Sequence, residues 1–317
     1  MIAARAHLAL GEPARAIENL TRLISVDPGA VGARLLLGRA YAAAGDAEAA
    51  VEQVEKELAA NPDNVEAQIV MARARLQQGR EQEARALIAA LPERAAGRPL
   101  ALETRAMLAM NAGDFPAAAD AYRQLLEVVP AGGYVIKLAT ALRRAGRTDE
   151  AVTALDDWLA RNPDDAAVWL AAGDVQVLRG NEAAAISAYR SALEADPESA
   201  TAMNNIAWLL RERDPDEALR LAERAVELQP ASAAVRDTLG MVLLARGEPE
   251  AAVESFRAGL ARASDSPDLN HHLARALVAA GRQDEAREPL RRALESGASF
   301  AGRAEAEALL EELDEGP

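Results

Sequence analysis

The chain has 317 residues, no cysteine and a formal net charge of −15, and half of its residues are apolar while only 3% are aromatic. The lack of cysteine excludes disulfides, thiolate nucleophiles and cysteine metal sites. The acidic balance argues against nucleic acid as the main partner, because phosphate binding needs a basic surface. The charge is uneven, since residues 1–98 hold 12 basic and 13 acidic residues whereas residues 99–317 hold 23 and 37.

The chain opens on MIAARAHLALGEP, which lacks the basic region and long apolar run of a signal peptide. The segment has the pattern of the middle of a helix. We therefore expect a truncated first repeat, and we expect the chain to be the C-terminal part of a longer protein. No apolar stretch approaches the ~18 residues of a membrane span.

Alanine recurs along the chain with gaps of 33 or 34 residues, at Ala16, Ala50, Ala84, Ala118, Ala151, Ala185, Ala218, Ala252 and Ala286. A stack of equal two-helix units explains this period, because each unit needs one close helix–helix approach at the same point. The period predicts an all-α solenoid of about nine repeats. These span roughly 1–30, 31–64, 65–98, 99–131, 132–165, 166–199, 200–232, 233–266 and 267–298, and one more helix over 300–314 caps the stack.

Within residues 166–199, small and bulky residues fall at set places: Trp169, Ala172, Gly173, Gly180, Ala185, Tyr189, Ala192, Leu193 and Pro197. This pattern resembles the tetratricopeptide repeat (TPR), a helix–turn–helix unit of 34 residues. The resemblance implies a right-handed superhelix whose first helices line a concave surface. It also implies that the fifth, sixth and ninth residues of each repeat face a ligand.

A glycine follows the first helix in most repeats, at Gly11, Gly45, Gly79, Gly113, Gly146, Gly180, Gly247 and Gly281. We expect it to adopt the left-handed conformation that ends a helix. Asp46, Asp114 and Asn181 come next in three repeats and are predicted to cap the second helix. Repeat 7 lacks the glycine, which predicts a shorter turn at Asp214-Pro215.

Pro92 lies inside the second helix of repeat 3, so we expect this helix to end early and leave an irregular link at about 92–99. The link coincides with the charge boundary and is a candidate hinge. It suggests three regions, namely repeats 1–3 with a truncated first repeat (1–98), repeats 4–9 (99–298), and a capping helix with an acidic tail (299–317).

The ninth residue of each of the first three repeats is arginine: Arg5, Arg39 and Arg73. Equal residues at a 34-residue spacing stack into a column, so this could be an anion-binding ladder for an acidic peptide or an anionic polymer. The simpler interpretation, which the arginine-rich composition favours, is three solvated arginines paired with nearby glutamates.

Polar residues replace aliphatic ones at the fifth and sixth places of the last three repeats. The predicted peptide- or protein-binding residues there, with the ninth residues included, are Asn204, Asn205, Trp208, Asp237, Thr238, Met241, His271, His272 and Arg275. Amide, hydroxyl and imidazole groups can hydrogen-bond a peptide backbone, while Trp208 and Met241 offer apolar anchors. The alternative is the ordinary polarity of first helices near a solvated end.

The sequence offers no catalytic machinery. It contains neither a Walker-type phosphate loop nor a Gly-x-Ser-x-Gly elbow, and the acidic pairs at 156–157 and 164–165 suit solvated helix faces and caps. Adjacent residues on a helix point about 100° apart, so His271 and His272 cannot chelate one ion together. We therefore expect no enzyme activity, no cofactor and no metal.

Residues 200–313 carry a closer resemblance, through MNNIAWLL (203–210), VRDTLGMVLLARGEPEAAVESF (235–256) and FAGRAEAEALLEEL (300–313). They resemble the C-terminal end of TPR lipoproteins of bacterial PEP-CTERM/exosortase and exopolysaccharide systems. The resemblance implies an exported, lipid-anchored, periplasmic scaffold, with a cytoplasmic location as the alternative. The expected function is a non-enzymatic scaffold that binds a protein or peptide. Other possibilities are a regulatory peptide sensor and the TPR part of a larger enzyme.

Overall fold

The computed structural model describes residues 1–30, 32–297 and 299–315. These residues form helices and their connections, with no strand among them. The helices are α1 Ile2–Ala9, α2 Pro13–Val26, α3 Ala33–Ala44, α4 Ala47–Ala60, α5 Val65–Gln77, α6 Glu81–Ala89, α7 Glu93–Ala96, α8 Pro99–Asn111, α9 Phe115–Val128, α10 Gly132–Arg144, α11 Thr148–Leu159, α12 Ala166–Leu178, α13 Glu182–Ala195, α14 Ala200–Leu210, α15 Pro215–Leu228, α16 Ala233–Ala245, α17 Pro249–Leu260, α18 Pro267–Ala279, α19 Gln283–Glu295 and α20 Arg303–Glu315.

The chain divides into two compact units, Met1–Leu155 (unit 1) and Asp156–Pro317 (unit 2). In unit 1 the helix pairs are α1–α2, α3–α4, α5–α6 and α8–α9. In unit 2 they are α12–α13, α14–α15, α16–α17 and α18–α19, with α20 packed on α19. Turns of two to four residues join the helices of each pair, which makes them antiparallel. The predicted all-α solenoid of helix pairs is confirmed, while the predicted division at residue 98 stays a prediction.

The periodic alanines are packing residues, as predicted. All nine have no exposed surface. At three other points glycine permits the close approach, because a Cβ on Gly38, Gly173 or Gly240 would meet a side chain of the paired second helix at 2.6 Å or less. The repeat period therefore records where the two helices of each pair come closest.

The inter-helix glycines also behave as predicted. All eight have φ between 71° and 84°, which an L side chain rarely adopts. Asp46 and Asp114 cap the following helices by accepting hydrogen bonds from the N–H groups of Ala49 (3.0 Å) and Ala117 (3.2 Å). The prediction for Asn181 is wrong, because its side chain makes no cap bond to α13.

The sequence predicted an early end to the second helix of repeat 3 and a shorter turn in repeat 7, and the structure bears out only the first. The second helix of repeat 3 ends early at Ala89, as predicted, and the link that follows is packed, since Leu91 and Ala95 are buried against Ile69. A hinge there would have to separate these contacts, and the hinge stays a prediction. The shorter turn in repeat 7 is wrong. The connection at 211–214 has four residues against three after α12, and α14 has 11 residues against 13 in α12, so the net loss of one residue falls on the helix.

Candidate functional site

The predicted binding residues of unit 2 lie on three first helices, α14, α16 and α18. Helix α16 contacts both α14 and α18. Residues at equivalent repeat positions therefore follow one another across the three helices. We call six of these residues the polar strip, namely Asn204, Asn205, Trp208, Asp237, Met241 and His272, and each of them is at least partly exposed.

A histidine–aspartate pair connects two helices of the polar strip. Nδ1 of His272 on α18 lies 2.7 Å from Oδ1 of Asp237 on α16. The two side chains are mostly covered, and the ring of Phe256 packs 5.8 Å from the imidazole. The pair fixes the imidazole in one orientation at this end of the strip.

The other end of the polar strip is an amide cluster on α14. The Asn204 side-chain amide donates a hydrogen bond to Oδ1 of Asn205 at 3.3 Å, and Oδ1 of Asn204 itself is buried without a partner among the described residues. An acceptor left without a donor typically costs about 1–3 kcal/mol. Because this oxygen has almost no exposed surface, a ligand N–H group could reach it only after the Asn204 side chain turns outward.

A buried tyrosine contacts this amide cluster. The hydroxyl of Tyr189 donates a hydrogen bond to Oδ1 of Asp174 at 2.7 Å and also interacts with Asn205. Burial, followed by the Asp174 carboxylate, raises the pKa of Tyr189 far above its ordinary value. The hydroxyl thus remains a donor at neutral pH. Sequence analysis did not include Asp174, although it is the ninth residue of repeat 6 and the same positional rule would have found it.

Trp208 is the exposed aromatic side chain of the polar strip. It is 37% exposed, and the guanidinium of Arg211 lies 4.1 Å from the centre of its ring. This distance is within the range of a cation–π contact. Tryptophan and arginine are enriched among the side chains that dominate binding energy in interfaces.

Two of the predicted contact residues lie below the surface, and we remove them from the site. Thr238 is 5% exposed and His271 is 2% exposed. The physical reason for His271 is the segment that leads into the capping helix α20, because a Cβ on Gly302 would lie 2.3 Å from Nδ1 of His271. Arg275 is partly exposed, but its Nε lies 3.2 Å from Oε1 of Glu305 on this helix, so we also leave it out of the polar strip. The sequence did not show which residues the cap would cover.

Burial gives His271 a predicted effect on stability. It lowers the pKa of His271 below the ordinary 6.5; His272 and Arg275 act in the same direction, and Glu305 and Asp268 oppose it. The unfolded chain then takes up the proton at a higher pH than the folded chain. The free energy of unfolding of unit 2 should therefore fall as the pH drops below about 6.5.

Urea unfolding at several pH values between neutral and about 5 tests this expectation. The variant His271→Gln should flatten the fall, whereas His7→Gln in unit 1 should leave it unchanged. An equal slope in wild type and His271→Gln would refute the assignment.

The three arginines of the predicted ladder lie on α1, α3 and α5 of unit 1. Arg39 pairs with Glu66 at 2.8 Å, and Arg73 pairs with Glu103 at 3.3 Å. Arg5 makes no ion pair with any residue that the structure describes. Two of the three arginines are thus paired with glutamates, as the simpler interpretation of three solvated, glutamate-paired arginines expects.

Neither a metal centre nor a membrane span is found in the described ranges. They contain no group of three or more histidine or acidic side chains placed to bind a metal. They also contain no helix that is long and apolar enough to cross a bilayer.

Sequence comparison identifies a family. Models of the tetratricopeptide repeat match residues 117–299, 3–64 and 43–108. The first of these covers more than half of the chain. No curated protein gives a significant sequence match.

Comparison with solved structures points to the same fold. The chain is similar to a component of the Cut9–Hcn1 hetero-tetramer of APC/C, with 16% identity, a TM-score of 0.54, and coverage of 85% of this chain and 55% of that one. A thermophilic TPR protein of Thermus thermophilus gives 23% identity, a TM-score of 0.48, and coverage of 57% of this chain and 100% of that one. The protein MamA gives 19% identity, a TM-score of 0.45, and coverage of 53% of this chain and 92% of that one. At these identities the similarity concerns the fold alone.

Proposed function

The chain belongs to the tetratricopeptide repeat family, and on that premise we propose that it is a non-enzymatic scaffold that binds a protein segment along the polar strip of unit 2. The observation that carries the proposal is the exposed Trp208, stacked on Arg211 and adjacent to the amides of Asn204 and Asn205. An exposed apolar anchor beside side-chain amides that can pair with a backbone is what an extended peptide needs.

Binding would use two kinds of contact. Trp208 and the half-buried Met241 would cover an apolar side chain of the partner, and burial of that surface would supply most of the affinity. The amides of Asn204 and Asn205 would pair with the peptide backbone, which offers both N–H donors and C=O acceptors. The Asp237–His272 pair would set the chemistry at the far end of the strip, where a basic or hydroxyl group could approach the carboxylate.

Substitution of the anchor tests the proposal. Peptides selected from a random phage-displayed library against the intact chain should lose at least about thirtyfold in affinity for Trp208→Ala, because an interface hot spot contributes about 2 kcal/mol or more. Asn204→Ala should weaken binding less. Isothermal titration calorimetry gives the dissociation constants, and the far-UV circular dichroism spectrum shows whether the helices are retained.

Arg220→Ala is the matched control. Arg220 is exposed on α15, the second helix of the same repeat, so its removal should change the affinity less than twofold. Peptides that bind Trp208→Ala and wild type equally, with helix content retained, would contradict the proposed site. Failure to select any peptide against the intact chain would contradict peptide binding itself.

We further propose that the scaffold acts in the export or assembly of exopolysaccharide or PEP-CTERM proteins in bacteria, at the periplasmic side. The support for this step is the resemblance over residues 200–313. An exosortase or polysaccharide-synthesis gene beside the gene that encodes this chain would support it. A gene placed among unrelated cytoplasmic genes, with a product that stays in the cytoplasm on cell fractionation, would contradict it and leave the peptide-binding proposal untouched.

A further inference from the structure

Unit 1 contains a groove on the same repeat positions, with a different chemistry. Two adjoining cavities, of about 640 Å³ and about 150 Å³, share Leu8 and Arg39 in their walls. We call them together the arginine groove, and we propose that it binds an acidic protein segment that carries aliphatic side chains. The site is separate from the polar strip and does not depend on it.

The floor of the arginine groove is aliphatic. It is formed by Leu8, Leu35, Leu36, Val70 and Leu100. Leu35 and Leu36 are the fifth and sixth residues of repeat 2, the positions that carry polar groups in the last three repeats. Such a floor can stabilise a bound aliphatic side chain, because apolar surface of both partners then leaves water.

The charged lining of the groove is basic, although the chain as a whole carries a net charge of −15. Arg5, Arg39 and Arg73 line it, with Glu66 as the acidic residue among the lining groups of the two cavities. A guanidinium binds a carboxylate through two parallel hydrogen bonds. Charge complementarity therefore selects an occupant with glutamate or aspartate side chains.

The ion pairs already present do not block this binding. The side chains of Arg39 and Glu66 are 44% and 43% exposed, and an ion pair this exposed contributes little to stability, so a ligand carboxylate can share or replace Glu66. Glu103 also accepts from Lys137 at 3.3 Å and keeps that partner if Arg73 turns to the ligand. Arg5 has no ion-pair partner within the described ranges to give up.

A set of defined peptides tests both halves of the inference on the full chain. The probe is a fluorescein-labelled dodecapeptide in which leucine and glutamate alternate. Its counterparts are oligoglutamate and a version with lysine in place of glutamate. Fluorescence anisotropy should show that the leucine–glutamate peptide binds, that added salt weakens it, and that neither counterpart binds within tenfold of it.

Two variants place the binding in the groove. The triple variant Arg5→Gln, Arg39→Gln, Arg73→Gln should weaken the leucine–glutamate peptide by at least tenfold. The control variant Arg15→Gln, Arg22→Gln, Arg85→Gln removes equal charge from second helices of the same unit. It should change the affinity for the leucine–glutamate peptide less than twofold. If the triple variant loses its helix content, Ala43→Trp serves instead, since exposed Ala43 lines the smaller cavity and a bulky side chain there would fill it.

Several outcomes would overturn the inference. No binding of the leucine–glutamate peptide at low salt would do so, and so would equal losses in the triple variant and its control. Oligoglutamate that binds as tightly as the probe, or heparin that competes more strongly than either, would show an anion site for polymers and remove the role of the aliphatic floor. If the arginine-groove proposal fails, the polar-strip proposal still stands, because its test is the Trp208→Ala measurement in unit 2.

Discussion

Replacement of Phe256 by alanine is expected to lower the free energy of unfolding of unit 2 by about 3–5 kcal/mol. Phe256 has no exposed surface and belongs to the core cluster that also contains Leu243 and Leu277. Its removal leaves a cavity that packed helices cannot fully close, so the cavity adds to the lost transfer energy. A domain is stable by about 5–15 kcal/mol in total, so the expected loss is a large part of it.

The three tryptophans provide a selective readout, because Trp158, Trp169 and Trp208 all lie in unit 2. Urea unfolding followed by tryptophan fluorescence should show the shift, while circular dichroism follows the helices of both units. Phe115→Ala at a half-buried site of unit 1 is the control and should leave the fluorescence transition in place. A shift below about 1 kcal/mol for Phe256→Ala would show that this core cluster is not the main support of unit 2.

The repeat frame was predictable from the sequence because it depends on contacts within one helix pair. The buried alanines and the left-handed glycines recur at a fixed spacing, and each is determined by the geometry of a single pair. The length of α14 was not predictable in this way. A one-residue deletion can shorten a helix or a turn, and the sequence alone does not say which of them is shortened.

The candidate site was predictable only in part, for a related reason. Repeat position placed Trp208, Asp237 and His272 on the successive first helices α14, α16 and α18, since the period carries that information. Burial of His271 depends on the capping helix, which belongs to no repeat and has no equivalent elsewhere in the chain. The hydrogen bonds that Tyr189 makes are likewise set by the distance between helices rather than by spacing along the chain.

The contact between Gly240 and Phe256 gives the second prediction. A Cβ on Gly240 would lie 2.5 Å from Cε1 and Cζ of the Phe256 ring. Alanine has the higher intrinsic helix propensity by about 0.5–1 kcal/mol, but overpacking in a tight core typically costs about 1–3 kcal/mol. The ring is enclosed and cannot move aside, so Gly240→Ala should destabilise unit 2.

The sign of this effect should reverse once the ring is absent. In the Phe256→Ala background the added methyl group meets no aromatic ring and fills part of the cavity, so Gly240→Ala should then stabilise unit 2. The double-mutant cycle should give a favourable coupling of about 1–3 kcal/mol. Gly133→Ala is the control without a neighbour, since a Cβ there meets nothing within 4 Å and the change should be neutral or stabilising. Equal effects of Gly240→Ala in the two backgrounds would mean that the methyl group clashes with the backbone of the pair instead, and that the ring does not set the spacing of α16 and α17.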